Sequence, residues 1–239
     1  MIKDALNYIV GLGEAKIHNF ECGRYSDKPL HRIPVHVPTA SKITMHTLTS
    51  LVDYIKGEID DMPEKMIVEV ESPTKVNLYS KLIGERVREH LVTVEARVPE
   101  FSFEYFMEQE RFCIGLQSKF IESNDRALVL KFAGTVEAGT VAEYGDDGIS
   151  QKATVKTGLA SKGEAIVPSP ALLKPYRTFL EVEQPTSEFI FRMKQDRHDG
   201  VLCALFEADG GAWKMEATKA IKEYLQKELA EYPQFTIIS

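Results

Sequence analysis

Residues 207–214 combine residue types that could bind an anion, in the order EADGGAWK. Gly210 and Gly211 stand at a predicted strand-to-helix junction, where glycines allow close backbone approach and free amides at a helix start can hold a phosphate. Lys214 would add a positive charge. The two acidic residues before the glycines would repel an anion, and they suit the positive end of the following helix. We therefore favour a capped helix with Trp213 as a packing anchor, and we keep Gly210, Gly211 and Lys214 as candidate ligand contacts.

A second group of candidate ligand contacts consists of Lys174, Tyr176 and Arg177, next to a segment rich in Gly, Ser and Pro. The two cations and the phenol could bind a ligand that carries a phosphate. The same side chains would equally suit the rim of a contact between subunits. Both interpretations remain open at this point.

The spacing of the histidines, cysteines and carboxylates matches no established metal site. His18 with Cys22, and His31 with His36, come nearest, but neither pair has a second pair at a recognised separation. A carboxylate pattern near the start of the chain fits the loosest form of a magnesium-dependent nuclease, yet with 36 acidic residues such a match is expected by chance. Phosphate-loop, dinucleotide and serine-hydrolase motifs do not occur in the sequence. We expect no metal, no cofactor and no catalytic residues.

Predicted strands and helices come in groups without regular alternation, which indicates an α+β fold. We expect a single domain of residues 1–239, with residues 1–40 as an arm or connector within it. Alternating apolar residues predict an antiparallel ribbon over residues 66–98. Its apolar face is narrow, so we expect the ribbon to project and to pack on its own domain or on a neighbouring subunit. A long helix is predicted at residues 102–123. The clearest turn signal, in a predicted hairpin, consists of Asp146, Asp147 and Gly148.

Composition excludes several classes of protein. The chain has 239 residues, of which 44% are hydrophobic and 27% charged, as in ordinary globular proteins. A net charge of −7 gives no field that would gather nucleic acid non-specifically. The longest apolar runs are too short to cross a bilayer, and three widely spaced cysteines predict free thiols in a reducing compartment. We expect a cytoplasmic protein without a membrane partner.

Four short motifs carry a resemblance to a known family. They are LQSKF at residues 116–120, DDGISQ at 146–151, KPYRTF at 174–179 and ALFEADGG at 204–211. In these motifs the chain resembles the YfdQ-like family of uncharacterised phage and prophage proteins, over residues 45 to 230. The resemblance implies a gene carried by tailed phages or prophages and a protein that acts inside a bacterium. It implies no catalytic residues, because the family has none established.

Together these observations predict a phage or prophage protein without its own chemistry, which forms a homo-oligomer and binds or sequesters a host factor or a small, nucleotide-like signalling molecule during infection. The order of elements, with an arm, a ribbon, a long helix and a terminal strand, is similar to the shell fold of tailed-phage major capsid proteins and encapsulins. A shell-forming structural protein is therefore the first alternative. A metal-dependent nucleic-acid enzyme is the second.

Overall fold

The computed structural model describes most of the chain, in two compact units, Met1–Thr39 and Ala40–Ser239. The described residues are 2–20, 23–28, 39–62, 64–83, 86–136, 152–156, 162–166, 170–196 and 200–239. The segment 29–38 of the predicted connector lies outside these residues. So do Asp146, Asp147 and Gly148, and the predicted turn that they form remains a prediction.

Among its described residues, the first unit contains one helix and one hairpin. Helix α1 covers Ile2–Gly13, and strands β1 (Ile17–Phe20) and β2 (Gly23–Ser26) pair in antiparallel fashion. Lys28 Nζ donates a hydrogen bond to the Leu12 carbonyl oxygen near the end of α1. No residue of α1 is buried.

The second unit contains eleven strands and four helices within the described residues. In chain order they are β3 (Ile43–Met45), α2 (Leu48–Lys56), β4 (Met66–Ser72), β5 (Lys75–Ser80), β6 (His90–Glu95), β7 (Met107–Glu108), α3 (Gln109–Lys119), α4 (Asn124–Thr135), β8 (Lys152–Lys156), β9 (Lys162–Ile166), β10 (Ala171–Leu173), β11 (Ser187–Asp196), β12 (Gly200–Glu207), α5 (Ala212–Glu228) and β13 (Phe235–Ile238). Groups of helices and of mostly antiparallel strands, without regular alternation along the chain, confirm the predicted α+β class.

A five-stranded mixed sheet has the order β13-β4-β5-β6-β3. Each outer strand is parallel to its neighbour: β13 pairs with β4, and β3 pairs with β6. Strands β4, β5 and β6 form an antiparallel meander between them. Helices α2 and α5 cover one face, where Leu51, Val68, Leu78 and Leu225 are fully buried. The predicted antiparallel pairing within residues 66–98 is confirmed, but the prediction that this ribbon projects is wrong. Strands distant in the sequence extend the meander at both edges, and helices supply the apolar partner that the local pattern lacked.

A second sheet, of order β10-β11-β12-β7, is antiparallel throughout and packs with α3 and α4. Its core is rich in phenylalanine, with Phe112, Phe120, Phe189 and Phe191 almost entirely buried. The predicted helix at 102–123 is shorter in the structure, where α3 begins at Gln109. Met107 and Glu108 pair with β12 instead, and Glu104 has a φ of 62°, which interrupts a helix. Two of the elements on which the likeness to a shell fold depended, the projecting ribbon and the long helix, thus differ in the structure.

Strands β8 and β9 form an antiparallel hairpin of their own, with Lys152 opposite Ile166. In the described part of the chain, none of the helices combines the length and the apolar character needed to span a bilayer.

Candidate functional site

The junction between β12 and α5 is a capped turn. Gly210 and Gly211 have φ values of 61° and 80°, in the left-handed region that favours glycine. Asp209 Oδ1 accepts a hydrogen bond of 2.9 Å from the Gly211 amide, and the Trp213 amide also donates to this carboxylate. Asp209 thus takes the position that an external anion would need, and the structure leaves no anion cradle at these amides.

Arg177 meets this turn with a buried guanidinium group. Its Nη1 lies 2.8 Å from Glu207 Oε1, and its Nη2 lies 3.9 Å from Asp209 Oδ2 and donates a hydrogen bond to Ser187 Oγ. Ser187 in turn donates to Asp209 Oδ2 at 2.5 Å. We call Arg177, Ser187, Glu207, Asp209 and Trp213 the Arg177 centre. Two carboxylates face one cation here, so the Arg177 charge is compensated inside the protein.

Trp213 covers the guanidinium group on one side. The Arg177 Cζ atom is 3.9 Å from the centre of the indole ring and 5.8 Å from the centre of the Phe189 ring. A cation this close to an aromatic face is attracted by the ring quadrupole, most strongly where water is excluded. Arg177 Nε and Trp213 Nε1 are both buried and have no hydrogen-bond acceptor among the described residues.

Burial and neighbouring charges shift the pKa values of Arg177 and Asp209. It lowers the pKa of Arg177 to about 10, against the opposing effect of the Glu207 and Asp209 charges, so the side chain stays charged at neutral pH. Partial burial acts to raise the pKa of Asp209. Hydrogen bonds from Ser187 and the Gly211 amide, together with the Arg177 charge, outweigh this effect and lower the pKa.

The Gln184 side chain forms hydrogen bonds with the backbone of residues 177–179. Its Oε1 accepts hydrogen bonds from the Arg177 and Thr178 amides at 3.0 and 3.1 Å, and its Nε2 donates to the Phe179 carbonyl oxygen at 2.9 Å. Gln184 is itself buried. Sequence analysis missed both Gln184 and Ser187, because single polar residues in a loop or at a strand start carry no periodic signal.

A cleft of about 360 Å³ opens beside this backbone. Its walls come from three segments and are Val98, Pro99, Glu100, Phe101, Ser102, Phe103, Lys119, Pro175, Tyr176 and Arg177. We call it the Phe101 cleft. Phe101 and Phe103 lie 5.0 Å apart between ring centres. The Tyr176 amide donates to the Lys119 carbonyl oxygen at 2.9 Å, which joins two of the segments.

Two cations, Lys119 and Arg177, and one carboxylate, Glu100, line the Phe101 cleft. Lys119 is half-buried, and its Nζ donates to the Glu100 carbonyl oxygen. Because the Arg177 charge is already met by carboxylates, Lys119 is the cation in this wall that an anionic ligand could use. Aromatic rings beside a cation can bind a planar, anionic molecule.

The six predicted ligand contacts do not form one site in the structure. Tyr176 and Arg177 line the Phe101 cleft, whereas Gly210 and Gly211 join Arg177 through Asp209. Lys214 is exposed, with Nζ 5.9 Å from the centre of the Trp213 ring.

Lys174 does not line the cleft. It pairs instead with Glu183 at 2.8 Å, and this hydrogen bond lowers the pKa of the Glu183 carboxyl.

Side chains on β4, β5 and β6 form a hydrogen-bond chain across the five-stranded sheet. His90 Nε2 lies 2.9 Å from Thr93 Oγ1, and Thr93 donates to Asn77 Oδ1 at 3.1 Å. Asn77 is fully buried and donates to Glu71 Oε2 at 2.6 Å. Burial, followed by the charge of Lys42, lowers the pKa of His90. This chain joins three adjacent strands by side chains as well as by the backbone.

Among the residues that the structure describes, no group of three or more His, Cys, Asp or Glu side chains could hold a metal ion. Cys22, His31 and His36 lie outside those residues. Compared with family models, curated proteins and solved structures, the chain matches none of them.

Proposed function

We propose that the protein is a non-catalytic, homo-oligomeric binding protein that holds a small, planar, anionic ligand of nucleotide type in the Phe101 cleft. The observation that carries the proposal is the composition of this cleft, in which Phe101, Phe103 and Tyr176 stand beside Lys119. Aromatic rings favour stacking with a base, and a lysine favours contact with a phosphate.

The size and setting of the cleft support this ligand class. A volume of about 360 Å³ lies within the range of small-molecule sites. Polar groups at its edge, such as Ser102 and the Tyr176 phenol, offer hydrogen bonds for a ribose or a base edge. Arg177 supports the wall, because its own charge is compensated by Glu207 and Asp209.

The resemblance to phage and prophage proteins suggests where such binding acts. A protein that holds a nucleotide without converting it removes that molecule from solution, and in an infected bacterium it would sequester a host signalling compound. This role needs tight binding and no turnover, and it places the protein in the bacterial cytoplasm.

A thermal-shift screen with nucleoside mono-, di- and cyclic phosphates tests the proposal. A ligand that binds only the folded state raises the melting temperature, and the proposal predicts such a rise for at least one nucleotide. Tyr176→Ala and Lys119→Ala should abolish the shift, whereas Lys131→Ala, an exposed position on α4, should keep it. Chromatography of the mixture should recover the nucleotide unchanged, and the appearance of a product would contradict the non-catalytic role.

A further inference from the structure

Helix α1 has an apolar face that no other part of the first unit covers among the described residues. At 100° per residue, Ile2, Ala5, Leu6, Ile9, Val10 and Leu12 share an arc of about 160°. The opposite arc holds Lys3, Asp4, Asn7 and Tyr8 together with a glycine. Ile2 is 81% exposed, and Leu6, Ile9, Val10 and Leu12 are each more than half exposed. A helix with such a face is stable only when another surface covers it.

The charges of α1 favour a second copy of the same helix as that surface. The helix carries one lysine and one aspartate, so its net charge is zero. Helices that lie on membrane surfaces are instead rich in Lys and Arg on the polar face, because they are attracted to anionic lipids. Two neutral amphipathic helices meet without charge repulsion.

The positions of the charges also favour one orientation. Lys3 stands in the first turn, and Glu14 directly follows the last residue of the helix. In an antiparallel pair centred between residues 8 and 9, Lys3 of one copy lies opposite Glu14 of the other, at both ends of the interface. A parallel pair would instead place both Lys3 residues at one end and both Glu14 residues at the other. Antiparallel helix dipoles add to the preference.

We propose that α1 is a self-association surface and that two copies of the chain pair through antiparallel α1 helices. This inference rests on the homo-oligomer in the proposed function and names the surface that forms it. A helix of 12 residues is about 18 Å long and buries less surface than a standard interface of about 1,600 Å². The association is therefore weak enough to depend on protein concentration in the micromolar range.

Sedimentation velocity of the full chain over a range of concentrations provides the test. The wild-type protein should shift from the subunit mass to twice that mass as the concentration rises. Leu6→Ser combined with Ile9→Ser should weaken the association at least tenfold. Tyr8→Ser is the matched control, because Tyr8 is 69% exposed but lies on the polar arc. It should leave the association unchanged.

A charge swap tests the orientation. Lys3→Glu should weaken the dimer, and the double variant Lys3→Glu with Glu14→Lys should restore it, since both ends of an antiparallel pair are again complementary. A double variant no better than the single one would contradict the antiparallel arrangement.

The outcomes also separate the two proposals. A wild-type protein that stays monomeric at all concentrations would contradict both the homo-oligomer and the inference. Oligomers that survive the Leu6 and Ile9 changes would contradict the inference alone. Binding of the chain to anionic phospholipid vesicles, lost in the Leu6 and Ile9 variant, would identify a lipid surface as the occupant and overturn the proposal.

Discussion

The guanidinium carbon of Arg177 lies 3.9 Å from the centre of the Trp213 ring. This contact joins the segment before β11 to the first turn of α5, which itself packs on the five-stranded sheet. The stack therefore links elements of both hydrophobic cores of the second unit. Its strength can be measured by removing either partner.

Trp213→Ala should lower the free energy of unfolding by about 2–3 kcal/mol. The indole is half-buried, so its loss costs less than that of a fully buried tryptophan, but the cation–π contact is lost as well. Chemical denaturation measures the change. Tyr105→Ala, at a position that is 68% exposed, is the control and should leave the stability within about 0.5 kcal/mol. Equal effects of both changes would show that the stack contributes little.

Arg177→Met should destabilise the protein by about 3 kcal/mol, because it leaves Glu207 and Asp209 without their buried cation. Arg177→Lys should recover only part of this loss. A lysine ammonium group lacks the planar fork that contacts Glu207 and Ser187 together and that stacks on Trp213. Denaturant unfolding of both variants checks the prediction, and full recovery by lysine would contradict it.

The Asp209 carboxylate should make stability depend on pH in the acidic range. Its pKa in the folded state is lowered, so the folded protein binds this proton less readily than the unfolded chain does. The stabilisation is therefore fully present above the ordinary aspartate pKa of about 3.9 and is lost as the pH falls through the lower folded value. Melts from neutral to acidic pH should show a gap between the wild type and Asp209→Asn that narrows below about pH 4. A gap that stays constant would contradict the assignment.

Two helical glycines form a matched pair for testing the packing of α3. A Cβ atom at Gly115 would come within 3.0 Å of Phe101, whereas one at Gly134 in α4 would meet no atom within 4 Å. Gly134→Ala should therefore raise the stability by about 0.5 kcal/mol through helix propensity. Gly115→Ala should lower it by about 1 kcal/mol, because the Phe101 ring must shift. A gain in stability for both variants would show that α3 and Phe101 are not closely packed.

Local patterns predicted part of the fold. Alternation of apolar residues is sufficient to predict β4, β5 and β6 within residues 66–98. What alternation did not reveal was the sheet around them, because β13 joins β4 from the far end of the sequence. Pairing between distant strands depends on tertiary packing, which no short window of sequence contains.

The candidate site, too, was predictable from the sequence only in part. Tyr176, Arg177, Gly210, Gly211 and Trp213 were selected from residue type and local spacing, and the structure brings Arg177, Trp213 and the glycine turn together. The partners that hold them were not predictable in the same way. Lys119 and Phe101 reach the cleft from another part of the chain, and neither stands in a local motif that differs from ordinary core or surface sequence.

Isothermal titration calorimetry with the nucleotide selected in the thermal-shift screen tests the proposed binding function most directly. The account predicts saturable binding of one ligand per subunit, weakened at least tenfold by Lys119→Ala through loss of a charge-assisted hydrogen bond and unchanged by Lys131→Ala. Absence of binding by the wild-type protein to every nucleotide tested would contradict the account. Binding with equal affinity by the wild type and Lys119→Ala would contradict the assignment of the ligand to the Phe101 cleft.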